Sequence, residues 1–506
     1  ARSEDVTEGM TGWRRWAPGS GPAVASLFHR LFALISLAAW WSLGSQVRVL
    51  IGSHGLLPAA DFMEAVRAAG VSPFDVPTLF RTFHGDGVLV GGTVVGAALS
   101  VAALFGWRPR ICFAISTALY LSYATISRDF LSFQWDNLLL ECGLLAAFLP
   151  ASRAAPLVHF LFRVVLFKLY FESGLAKWQS PIHDWTDGSA MTFYYETAPL
   201  PTWVAVAAHH LPVWWHHLES RAVLVLELVV PLFIFGPRPL RLAAAVTFCV
   251  FQIGNAATAN YGIFCYLSAA LSVFLLDDAD VQRAGARLAR VIPARWKTSG
   301  ARQDQNAPSP VTVWAARAGV GLFLLVSLVE ALALFTETGP GLSLVAPIFE
   351  LNQRFRLVNS YHLFASVTRE RIEPQFETRD APLTEEQDEG AWTEHDLRWK
   401  AGDPGRAPGF VAPHQPRVDF QLWFYGLAFQ RREPPYVTAL VEKLCNDAAS
   451  VQPLFRDPLS PHPTAVRIVY WQYQFASAAE RRASGTWWRR ARAAESRAIP
   501  CSGLRP

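Results

Sequence analysis

Nine apolar runs, near 22–44, 88–106, 111–126, 135–150, 156–177, 222–236, 240–258, 262–276 and 312–336, occupy the first two thirds of the chain. A bilayer core about 30 Å thick takes ~20 helical residues to cross. Inside it every backbone N–H and C=O needs an internal partner, so a spanning segment is a helix or part of a closed barrel. Runs this long and this continuous predict an all-α polytopic membrane bundle of about nine transmembrane helices over residues 1–336. Composition agrees: 52% of the 506 residues are hydrophobic and 17% charged, against about a quarter charged in soluble domains. The first run is longer than a signal-peptide core and reads as a retained helix.

The short loops carry a charge asymmetry that sets a direction. Lys and Arg concentrate on the cytoplasmic side. With WRRW (13–16) inside, alternation also puts RPR (108–110), Arg153, GPRPLR (236–241) and the Arg283, Arg287, Arg290, Arg295, Lys297 and Arg302 group inside. The outer segments 45–87, 178–221 and 254–261 are poorer in basic residues. The C-terminus then falls outside. A polar linker, TSGARQDQNAPSP (298–310), precedes the last run. Beyond it, residues 337–506 hold short stretches mixing β-branched, aromatic and polar residues: LVNSYHLFASV, TEHDLRWKAG and AVRIVYWQYQF. These predict half-exposed strands, and RVDFQLWFYGLAFQR predicts a short helix. The segment reads as a C-terminal β-rich extracytoplasmic domain.

Charges inside the apolar runs are the chemistry-bearing feature. Such residues face a protein interior or a wet cavity and pair there. In PLVHFLFRVVLFKLYFESGLAKW (156–178), helical geometry puts His159, Arg163 and Lys177 on one face and Lys168 and Glu172 on the other. Lys168 and Glu172, four apart, suit mutual neutralisation. Lys177, at the outer end, reads either as a cation snorkelling to the interface or as a desolvated base. Asp136 and Glu141, with Arg128 and Asp129 just outside, face this helix as expected partners. Glu227, in LVLELVVP, needs a partner too.

The outer segment 178–221 gathers His183, His209, His210, His216 and His217 with Asp184, Asp187, Glu196 and Glu219. Adjacent histidine pairs cannot easily turn to one metal, and no HExxH occurs, so an aromatic interfacial belt is the expectation and no metal is assigned. Of six cysteines, none forms a CxxC. Phosphate loops, nucleophile elbows and dinucleotide fingerprints are absent. The basic residues follow membrane edges, which argues against nucleic acid.

The blocks FLSFQWDNLLLECGLLAAF, FESGLAKW…DWTDGSAMTFYYETAPLPTW…HHLPVWWHHLE…LELVVPLFIF, RLVNSYHLF and PGFVAPHQPRVDFQLWFYGLAF occur in this order. From about Ser127 to the 465–475 stretch the chain resembles the lipase maturation factor family. The resemblance implies a chaperone-like membrane protein, of endoplasmic reticulum type in eukaryotes, that helps secreted lipases fold and assemble. It implies an exported client and membrane lipid as partners, with no cofactor beyond a bound lipid. Its blocks supply further candidates: Trp135, Trp185, Tyr195, Asn359, Tyr361, Pro413, His414, Gln415, Arg417 and Trp423. A shorter likeness of GLAKW…DW to the vitamin K-dependent γ-carboxylase core implies a catalytic lysine at Lys177. No N-x-[ST] sequon occurs, no retention signal ends the chain, and Ala and Arg abound. These features suit a bacterial cytoplasmic membrane, with the C-terminal domain in the periplasm.

Overall fold

The computed structural model describes residues 21–288, 310–335, 346–382 and 392–504. WRRW, the basic residues from Arg290 to Arg302 and most of the 298–310 linker lie outside the described residues. Every one of the nine apolar runs contains helix. α1 (Pro22–Gly44) is followed by two short helices in the 45–87 segment, α2 (Val47–Ile51) and α3 (Ala59–Ala68). α4 (Asp86–Leu104) and α5 (Pro109–Ile126) form a hairpin. Its turn uses Gly106 at φ 82°, a left-handed conformation that glycine adopts without a Cβ clash. α6 (Gln134–Phe148) and α7 (Pro156–Trp178) follow. α8 (Ala190–Thr197) and α9 (Trp203–His209) fill the 178–221 segment, and α10 (Val213–Leu228) leaves it.

α11 (Arg238–Thr258), α12 (Phe264–Leu271), α13 (Asp278–Leu288), α14 (Pro310–Phe335) and α15 (Ala346–Phe355) complete the helical part. Three described helices, α1, α4 and α11, are long and apolar enough to cross a membrane. α7 has the length but carries four charges, and α6 rises only about 22 Å at 1.5 Å per residue. α1 and α4 pack closely because Gly96 leaves room for the Trp40 indole, a small-residue contact common between membrane helices.

The C-terminal part is mixed rather than β-rich. α16 (Arg417–Leu427), α17 (Pro435–Asn446), α18 (Ala448–Val451) and α19 (Ala478–Ser484) accompany one small antiparallel sheet. The sheet has the order β2 (Thr393–His395), β1 (Arg371–Arg379), β3 (Ala465–Phe475), β4 (Trp488–Glu495), with β5 (Ile499–Pro500) also on β3. The expected strand AVRIVYWQYQF and the helix at 417–427 are present. LVNSYHLFASV is not a strand: it runs without ladder pairing into the helical part. The strand RIEPQFETR was not foreseen, because its charges and Pro374 argue against a central strand. It is buried throughout. β2 pairs only with Phe376–Thr378, so at Pro374 the missing N–H faces no strand, and Gly426 of α16 closes against the Ile372 carbonyl there. The buried apolar side chains form one continuous cluster from α1 to Cys501.

Candidate functional site

The polar residues of α7 meet the segment 356–367, which threads between the helices. The Lys168 ammonium lies 3.4 Å from Glu141 Oε1 of α6 and 3.4 Å from Ser327 Oγ of α14. Glu141 Oε2 accepts from the Tyr361 hydroxyl (2.6 Å) and the Asn359 backbone N–H (3.1 Å). Glu172 accepts from the Tyr361 backbone N–H at 2.8 Å. The expected Lys168–Glu172 ion pair is therefore replaced by one ion pair and one hydrogen bond: Lys168 reaches across to Glu141 of α6, and Glu172 accepts from the inserted main chain. Glu330 of α14, not singled out in sequence, accepts from Asn352 (2.5 Å) and Gln353 (3.2 Å) and secures the start of this segment.

At the C-terminal end of α7 the same segment continues. Lys177 Nζ lies 2.7 Å from Glu227 Oε2, donates to the Leu363 carbonyl at 2.8 Å, and sits 5.2 Å over the Trp185 ring. Both charged side chains are about 5% exposed (4% and 6%). The pair can form because Gly174 lets α10 approach: a Cβ there would lie 2.8 Å from the Glu227 Cβ. Asp184 accepts from Ser180 and the Trp185 N–H, each at 3.0 Å, and from the Val367 N–H at 2.6 Å. Trp185 Nε1 donates to the Phe364 carbonyl at 3.0 Å. A cavity of ≈ 60 Å³ beside this cluster is walled mainly by apolar side chains and tyrosines. With its ammonium shared among a carboxylate, a carbonyl and an indole, Lys177 fastens elements together, and the reading of it as a base gains no support.

A second fastening joins α6 to the C-terminal part. Arg417 grips Asp136 through both guanidinium arms, at 2.5 and 2.8 Å, and the Tyr120 hydroxyl donates to Asp136 Oδ1 at 2.7 Å. Asp136 thus pairs with a residue 281 positions away rather than with α7. Parallel bidentate bonds of this kind are among the strongest in proteins. Around it, Gln415 N–H donates to Ser42 Oγ and His414 Nδ1 lies 3.0 Å from the same oxygen. The Ala412–Pro413 bond is cis. Trp135 stacks on Phe133 and meets Phe420 edge-on. Trp423 Nε1 donates to the Thr197 carbonyl at 2.9 Å. Arg128 lies over the Phe62 ring, and the Asp129 carbonyl accepts from Gln421.

His209, His210 and His216 are taken up in structural contacts, while His183 is exposed. Tyr195 and His216 both contact Glu219, at 3.0 and 3.1 Å, and His210 Nδ1 lies 2.7 Å from the Val206 carbonyl. His209 lies 3.5 Å from Glu196, which also accepts from the Phe475 N–H. Burial, with His210 and His216 nearby, pushes the His209 imidazole down to about 4, and burial raises the Glu196 carboxyl. Among the described residues no group of three or more His, Cys, Asp or Glu is placed to hold a metal. Sequence reasoning missed one buried cluster: Arg371 and Lys400 flank Glu373, all three side chains fully enclosed. Arg371 also donates to the carbonyls of Glu196, Ala198 and Pro199, tying β1 to α8. The signal was the charged strand itself, since charges on a buried strand require partners.

Residues 23–283 match the family model described as the lipase maturation factor transmembrane domain, and residues 357–498 match the lipase maturation factor C-terminal domain. The chain is 30% identical to lipase maturation factor 1 of Bos taurus, over 92% of this chain and 86% of that protein. It is 29% identical to lipase maturation factor 2 of Gallus gallus, over 92% and 79%. Against lipase maturation factor 1 of Homo sapiens it is 28% identical, over 94% and 90%. No solved structure matches the chain.

Proposed function

The chain belongs to the lipase maturation factor family, and from that membership we infer that it is a membrane-anchored, chaperone-like maturation factor for exported lipases or related secreted proteins. In this reading residues 1–336 form a transmembrane domain of nine spans, residues 337–506 are extracytoplasmic, and the membrane is the bacterial cytoplasmic membrane.

The observation that carries the reading is the use of the charges within and just beyond the apolar helices. Lys168, Glu172, Lys177 and Asp184 bind residues 356–367 or close neighbours of them, and Asp136 binds Arg417. They join the helical and C-terminal parts at several buried points, which suits a scaffold for a folding client.

Contacts of the loops support the sidedness. The three segments expected outside touch the C-terminal part: His54 with Asp447, Thr197 with Trp423, and Asn260 with Val411. The segments expected inside meet one another: Asp278 accepts from the Ala23 and Val24 N–H groups, and Arg238 pairs with Asp277 and Asp280. A Cys445–Cys501 disulfide joins α17 to the C-terminal end of the described chain, and disulfides persist in oxidising compartments.

The test is secreted lipase activity per unit of lipase protein in a strain lacking its own factor. Expression of this chain raises that ratio; an unchanged ratio would remove the client assignment.

A further inference from the structure

A cavity of ≈ 330 Å³ opens between the end of α1 and the C-terminal part, within the ~300–1,000 Å³ range of ligand pockets. Its position is set by Trp41, near the C-terminal end of a helix of membrane length and 59% exposed. Tryptophan at such a place lies at headgroup level, so the mouth opens at the lipid–water boundary.

Its chemistry has two zones. Trp41, Val49, Phe410 and Leu454 supply an apolar wall. Phe410 is 52% exposed and meets Trp203 edge-on, so with the exposed part of Trp41 this wall still presents large aromatic surface to the outside. Arg398, His414, Ser45, Gln46 and Asp419 stand at the polar side, the Asp419 carboxylate accepting from the Trp399 N–H at 3.0 Å. Among the described residues Arg398 has no carboxylate within 4.0 Å, while its backbone is fixed by a 2.9 Å bond to the Leu454 carbonyl. The cavity is preformed: Gln46 donates to the Gln415 carbonyl at 2.7 Å and accepts from the Arg417 N–H at 3.0 Å, and His414 packs between Trp41 and Trp399.

An apolar slot that opens beside the exposed Trp41 of α1, with a guanidinium at its polar end that no described carboxylate pairs, matches an amphiphile carrying a phosphate. We propose that this cavity holds one phospholipid from the leaflet on the C-terminal side, an acyl chain along Trp41 and Val49 and its phosphate beside Arg398. Such a lipid fills the seam between the first helix and the C-terminal part, which the Gln46 bonds already hold together.

The full chain is placed in nanodiscs of phosphatidylethanolamine and phosphatidylglycerol containing a phosphatidylglycerol with a diazirine in one acyl chain. After irradiation, labelled peptides are mapped. The expected result is labelling concentrated in 41–49 and 410–416, cut at least fivefold by Val411→Trp, which fills the cavity, with labelling of the outer face of α11 unchanged. Arg398→Gln, an exposed and mild change, lowers cavity labelling severalfold and leaves α11 as before. Cavity labelling no denser than on α11, or unaffected by both variants, overturns the proposal. Equal labelling by a diazirine fatty acid, insensitive to Arg398→Gln, overturns the assignment to a phosphate.

Discussion

Replacing Lys177 and Glu227 separately and together separates a fastening from a catalytic base. Lys177→Met keeps an unbranched side chain one atom shorter and removes the ammonium. It strands Glu227 as a lone carboxylate at 6% exposure, and also frees the Leu363 carbonyl. Removing one partner of a buried pair costs about 3–5 kcal/mol. Glu227→Met strands the ammonium, which keeps the carbonyl and the Trp185 ring, so its cost falls toward the lower end of that range. The double variant leaves no unpaired charge. What remains is one carbonyl without its donor, about 1–3 kcal/mol, so the double change costs less than Lys177→Met alone and far less than the sum of the two single changes. The coupling in such a cycle is the pair's own signature. Thermal unfolding of the purified chain in detergent reads the stabilities, and lipase activity per unit of lipase protein reads function. The expected outcome is two destabilised single variants and a double variant that is stable and still matures lipase. A double variant that is folded, inserted and inactive would refute the structural role and restore the lysine as a base. Additive losses would refute the pairing.

Asp136→Asn and Arg417→Met should each cost about 3–5 kcal/mol in the same assay, and Arg417→Lys should rescue only in part, because a lysine cannot make the two-armed bond. Limited proteolysis should then release the C-terminal part. Asp419, outside the spans, is fully buried, and burial raises its carboxyl to about 6 although it accepts from the Trp399 N–H. An acid whose folded pKa lies above its unfolded value binds more protons when folded, so its contribution is most favourable below about 4 and is lost as pH rises through about 6. Asp419→Asn should therefore raise the melting temperature at pH 7, with the gain over wild type shrinking toward pH 4; a constant difference would contradict this. Cys445→Ser opens a loop with a sequence separation of 56, for which chain entropy gives about 4 kcal/mol. Thiol alkylation should find the pair oxidised only in exported protein.

Much of the architecture is local and was legible. An apolar run of membrane length must satisfy its own backbone, so α1, α4 and α11 follow from residues that are neighbours along the chain. The same reasoning shows that Asp136, Glu141, Lys168, Glu172, Lys177 and Glu227 need partners, because an unpaired charge in an apolar setting is costly wherever the chain goes. The Lys177–Glu227 pair and the charge-rich α7 were within reach of that argument. The identity of most partners was not. Asp136 meets Arg417, Asp184 meets the backbone of Val367, and Glu172 meets the backbone of Tyr361.

The misread stretches share this cause. LVNSYHLFASV alternates like a strand, but its backbone groups bond to side chains of the bundle instead of a ladder. RIEPQFETR looks exposed, but Lys400 and Arg371 enclose Glu373 and let the strand lie buried. Period and composition constrain residues a few positions apart. A backbone N–H carries no sequence signature of the carboxylate it will meet, and a buried charge is satisfied by whichever group the fold brings within 3 Å. The sequence determined where helices form and which charges had to be neutralised; only tertiary structure decided by what, because pairing energy depends on distance in space and not along the chain.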